Sequence, residues 1–173
     1  VVNSWSPLSC GRMFKVFEDL KNGTVRYTGC GLDYVILQNG FTLKTFGKTT
    51  AISITDVDAL WDAIARTIVA SKPTVEGQDV RFLRGKLGLT QDELAQAFGI
   101  TRQAVIGWEQ KRNKAVPNSP AHLLRLLYDA QTNSGIFGSS SIESLTNLNN
   151  APITPIAPFE HQRTNWQQAE RTA

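Results

Sequence analysis

Two short helical patterns separated by a glycine turn constrain this chain more than any other feature. Residues 89–109 read LTQDELAQAFGITRQAVIGWE. Thr90 precedes QDELAQAF as an N-cap, Gly99 takes the turn, and Thr101 caps RQAVIGWEQK. Ala95 is small where the second helix must cross, Ile100 and Val105 fill the angle between the two, and Trp108 covers the far end. What remains outward on the second helix is Arg102, Gln103, Ile106, Gly107 and Gln110, with Lys111, Arg112 and Lys114 just beyond. A glycine-containing turn of three or four residues between two helices, the second with a polar and basic outer face, is the arrangement that lays a helix in the DNA major groove.

The flanking segments supply the rest of a domain. From Asp33 to Thr45 the run DYVILQNGFTLKT places β-prone residues on either side of Asn39-Gly40, which predicts a hairpin turning there, with AISI at 51–54 as a third strand. Thr55 with Asp58 predicts a cap, and Val57, Leu60, Trp61, Ile64 and Ile68 keep the spacing of one helix face up to Pro73. A helix after Thr74 carries Val80, Leu83 and Leu87 and ends at Gly88. Ser119 and Pro120 open a last helix whose Leu123, Leu124 and Leu127 are expected to face the core. The final stretch, beginning NSGIFGSSSIESLTNLNNAPITPIAP, is rich in Ser, Asn and Gly with several prolines and no apolar period, and predicts a disordered tail.

The expected fold is therefore α+β: an uncertain extension over 1–24, a small β-hairpin plus helix module over 25–72, a helical bundle holding the two-helix motif over 73–132, and a disordered C-terminal tail over 133–173. Val1 opens the chain and the single methionine is Met13, so residues 1–12 read as a stretch ahead of the true translation start or as a fragment edge.

Charge follows the same division. The 173 residues carry 18 Lys+Arg against 15 Asp+Glu, and the excess is concentrated in 72–132, which holds 9 against 6. Cys10 and Cys30 cannot build a disulfide scaffold, and with His122 and His161 they lack the spacing of a zinc site, so no metal or cofactor is expected. No triad, paired-carboxylate or phosphate-loop pattern supports an enzyme. The absence of a long apolar run or an export signal predicts a cytoplasmic protein, associated with the nucleoid if it binds DNA, and with no membrane partner.

The pattern LRxxLGLTQxELAxxxGIxRQxVxxWE, from Leu83 to Glu109, resembles the XRE family of phage repressor and Cro-like helix-turn-helix regulators, the likeness extending from Thr74 to Gln131. The resemblance implies an operator of double-stranded DNA, read as an inverted repeat by a homodimer. It places Arg102, Gln103 and Ile106 at base edges, and Gln91, Thr101, Gln110, Lys111, Arg112 and Lys114 along phosphates. Arg84 and Glu109 match an ion pair that fixes the recognition helix, with Trp108 as its packing anchor. Gly85 and Gly107 depart from the pattern, each standing where a better helix former would serve. The preceding segment is weakly similar to the N-terminal module of MqsA-like antitoxin regulators, though without zinc cysteines; that likeness implies a toxin partner as an alternative to simple repression.

Overall fold

The computed structural model describes residues 17–19, 23–47, 49–138, 141–162 and 165–169. The expectations about Val1 and Met13, and about Cys10, lie outside the described residues. The class is α+β, as the alternating and helical periods predict.

In chain order the elements are β1 (Phe17–Asp19), β2 (Val25–Tyr27), β3 (Ile36–Leu37), β4 (Phe41–Phe46), β5 (Thr49–Ile54), α1 (Val57–Ser71), α2 (Gly77–Lys86), α3 (Gln91–Phe98), α4 (Arg102–Gln110), α5 (Asn118–Thr132), α6 (Ser141–Asn150), β6 (Phe159–Gln162) and β7 (Asn165–Gln168). One sheet has the order β1-β2-β3-β6-β7, antiparallel except where β3 meets β6 in parallel with Leu37 opposite Phe159. The other is the hairpin β4-β5, paired from Phe41 opposite Ile54 to Phe46 opposite Thr49 and turning at Gly47.

The Asn39-Gly40 turn is present, with Gly40 at φ 71°, but it does not close the predicted hairpin. Instead it carries the chain from one sheet into the other. The open edge of β3 is taken by β6, so β4 pairs with β5. Gly40 is required twice over: its φ suits glycine, and a Cβ there would stand 2.6 Å from the Trp166 ring. Asn39 Oδ1 accepts from the His161 amide at 2.6 Å, which ties the turn to β6.

Asp56, rather than the expected Thr55 and Asp58 pair, caps α1. Its left-handed backbone, φ 49°, is one that Asp tolerates, and its carboxylate accepts from the Ala59 amide at 3.1 Å. Thr55 lies in the turn after β5, its amide donating to the Gly40 carbonyl and its own carbonyl accepting from Trp166 Nε1 at 2.8 Å. α1 ends before Pro73, and its last carbonyls are covered from across the core. Arg125, on α5 and 1% exposed, donates to the carbonyls of Ile68, Val69, Lys72 and Pro73 at 2.5–3.2 Å. Burial lowers the pKa of this guanidinium to about 10, which still leaves it charged at neutral pH.

The segment after residue 132 departs from the tail its composition predicts. β6 and β7 complete the main sheet, Phe159 is 1% and Trp166 6% exposed, and α1 packs against β7. Average composition missed this because a few well-placed apolar residues, not a continuous period, do the docking. Leu123 is also corrected: it is 46% exposed, while Leu124 is buried and Leu127 half-buried.

Trp166 loses its place against Gly40 and its bond to Thr55 when truncated. Trp166→Ala is therefore expected to lower the unfolding free energy by about 3 kcal/mol or more, read from urea midpoints. An unchanged midpoint would show that β7 does not dock on α1.

Candidate nucleic-acid interface

The two motif helices are defined by their caps. In the box at the start of α3, the Glu93 amide donates to Thr90 Oγ1 at 3.2 Å and the Thr90 amide to Glu93 Oε2 at 2.7 Å. Gly99, at φ 65°, ends α3, and Thr101 Oγ1 accepts from the Ala104 amide at 3.3 Å to start α4. Leu94, Ala95 and Val105 are buried in the crossing, and Ile100 and Trp108 pack half-buried against it.

Glu109 locks α4 to the rest of the domain. The carboxylate is buried, and Arg84 grips it from α2 with two bonds, Nε to Oε1 at 2.6 Å and Nη2 to Oε2 at 3.1 Å. A two-point grip fixes orientation as well as distance. The third Arg84 nitrogen donates to the Leu89 carbonyl at 2.7 Å, just ahead of α3, so one guanidinium holds three elements. Gln91 is turned toward the same carboxylate, its amide nitrogen 2.9 Å from Glu109 Oε2.

Arg102, Gln103, Gln110, Lys111 and Lys114 are exposed, Thr101 is exposed at the start of α4, and Ile106 is half-buried. Arg102 Nε lies 3.4 Å from Asp92 Oδ2, but both side chains are more than half exposed, so the pairing holds the guanidinium only loosely. Arg112 is engaged elsewhere: its Nη2 donates to the Gly31 carbonyl at 2.9 Å, and neighbouring Asn113 donates to Asp33 at 2.9 Å. The turn after α4 is thereby tied to the N-terminal module.

Between α2, α3 and α4 opens a cleft of about 410 Å³, lined by Arg81, Arg84, Gln91, Ile106, Gln110 and Arg112 together with Glu109. Arg81 is exposed and is a residue that motif reasoning passed over. Its signal was the helical spacing, since residues 81 and 84 are neighbours on one face.

The close approach of α2 to α4 rests on Gly77. A Cβ there would stand 1.9 Å from the Trp108 carbonyl oxygen, so no other residue fits without moving the backbone. The amides of Gly77 and Gln78 donate to the carbonyls of Lys114 and Arg112 at 3.1 and 2.8 Å, seating the turn after α4 on the start of α2.

Residues 80–118 match the family model described as Helix-turn-helix, less than a quarter of the chain. The match spans the motif and its flanking helix ends and stops short of the N-terminal module. Comparison with curated proteins and with solved structures found no match. Caps, crossing and family match together define a helix-turn-helix, a DNA-binding element. Among the described residues no helix is long and apolar enough to cross a membrane.

The two α-helical glycines on either side of this joint should respond in opposite directions. Gly77→Ala should destabilise by about 1 to 3 kcal/mol through overpacking against Trp108. Gly107→Ala, whose added Cβ meets nothing within 4 Å, should stabilise by about 1 kcal/mol. Thermal melts of the pair read both, and equal effects would contradict the close α2-α4 contact.

Proposed function

We propose that this protein is a sequence-specific double-stranded DNA-binding transcription regulator that represses by occupying a promoter. A single observation carries the reading. Apart from half-buried Ala104 and Ile106, the non-glycine residues that α4 leaves outward are polar or charged, while Val105 and Glu109 are buried and Trp108 packs inward. A short helix held this firmly by its inner face presents its outer face in one orientation.

Arg102 and Gln103 follow the Thr101 cap and stand at the N-terminal end of α4, the end that meets base edges in this class. Arginine donates bidentately to guanine O6 and N7, and glutamine pairs with adenine N6 and N7. Ile106, one turn on, offers an apolar surface to a thymine methyl. Thr101, Gln110, Lys111 and Lys114 border this face and would meet phosphates, with Gln91, Arg81 and Arg112 in the adjoining cleft. A homodimer would read two inverted half-sites, as such modules do.

Selection of bound duplexes from a random pool tests the function and returns the operator. On that operator, Arg102→Ala and Gln103→Ala should each cost about 1 to 3 kcal/mol of discrimination at one base pair per half-site. Because both side chains are exposed, stability should stay within about 0.5 kcal/mol of the parent. Recovery of no preferred sequence, or base preference unaltered in both mutants, would remove α4 as the reading element.

A further inference from the structure

A second cavity, of about 440 Å³, lies where the Gly29-Cys30-Gly31 turn faces α1 and α2. That volume falls in the range of small-molecule sites. One wall is aromatic, with Trp61 and Phe82 in edge contact at 6.2 Å between ring centres. The indole N–H of Trp61 is buried beside the Tyr27 hydroxyl without a hydrogen bond of normal geometry. Cys30 adds a neutral sulfur, since burial pushes its thiol up to about 11.

The polar side of the cavity is cationic. Arg81 and Arg112 line it and are exposed, and no carboxylate does so among the described residues. Lys86 also borders it, but its ammonium is paired with Asp62 at 2.5 Å. Gly85, a residue that a helix interior disfavours, lines the cavity, and a Cβ there would meet nothing within 4 Å. The missing side chain keeps the space open. Arg81 and Arg112 are also shared with the cleft beside α4.

We propose that this cavity binds a small aromatic carboxylate, its ring against Trp61 and Phe82 and its carboxylate on Arg81 and Arg112. Arg112 is already held at the cavity rim by the Gly31 carbonyl, so occupancy draws Arg81 away from the cleft beside α4 and weakens DNA binding. This coupling rests on the DNA-binding function above, whereas the cavity itself does not.

The test is calorimetry on the full chain with 2-naphthoate and indole-3-carboxylate, using 2-naphthamide as the uncharged control. Both carboxylates should bind, with the amide weaker by about tenfold or more, as loss of a charge-assisted contact requires. Gly85→Leu should abolish binding by filling the space, and Arg81→Gln should weaken it by about tenfold. Arg81 is exposed, so its substitution carries the test even where Gly85→Leu fails to fold. On the selected operator, saturating 2-naphthoate should lower DNA affinity by about fivefold or more in the parent protein and leave Gly85→Leu unaffected.

Failure of both carboxylates to bind, or equal binding by Gly85→Leu, overturns the site. Binding as expected with no change in DNA affinity overturns the coupling and leaves the site standing. Should no operator be recovered, the DNA-binding function falls while calorimetry still decides the cavity.

Discussion

The carboxylate of Asp79, fully buried at the start of α2, is the point on which the arrangement of elements depends. It accepts from Lys72 Nζ at 2.5 Å, from the Glu76 amide at 2.8 Å and from the Tyr34 hydroxyl. Those three donors come from the end of α1, the approach to α2 and the N-terminal module. Burial pushes the carboxyl above its ordinary value, while the Lys72 ammonium pulls it back. A buried charge is costly unless paired and hydrogen-bonded, so the three elements cannot drift apart without exposing that cost. Lys72 also lies 4.3 Å over the Tyr34 ring, which adds a cation–π contact to the same junction.

From this junction the geometry passes to α4 through short, stiff links. Gln78, next to Asp79, exchanges bonds with Asp33, its Nε2 donating to the carboxylate at 2.9 Å and its Oε1 accepting from the amide at 3.2 Å. Gly77 sets the α2-α4 distance, and Arg84, two turns along α2, grips Glu109. The outer face of α4 is thus oriented by α2, and α2 by a carboxylate shared with the N-terminal module. A module that contributes Tyr34, Asp33 and the Gly31 carbonyl to this chain is mechanically part of the DNA-binding unit.

The helix-turn-helix was legible because its signals are local. Thr90, Gly99 and Thr101 act within three or four residues of themselves, and each stands at the cap its chemistry predicts. Asn39-Gly40 was legible as a turn but not as a switch between sheets, because the strand that displaces the hairpin partner lies about 120 residues away. β6 and β7 were missed for the same reason: Phe159 and Trp166 are isolated apolar residues whose partners are set only by the folded sheet. Arg125, which the sequence pattern did not single out, covers the end of α1 from across the core. Capping by a distant guanidinium has no local pattern.

The proposed function requires α4 to lie in the major groove with its N-terminal end at the bases. Dimethyl sulfate probing of guanine N7, a major-groove atom, tests it directly on the selected operator bound by the unmodified protein. Protection of N7 at a guanine in each half-site is the expected result. Full N7 reactivity throughout the occupied site would contradict it, since the protein would then hold the DNA without α4 reaching the bases.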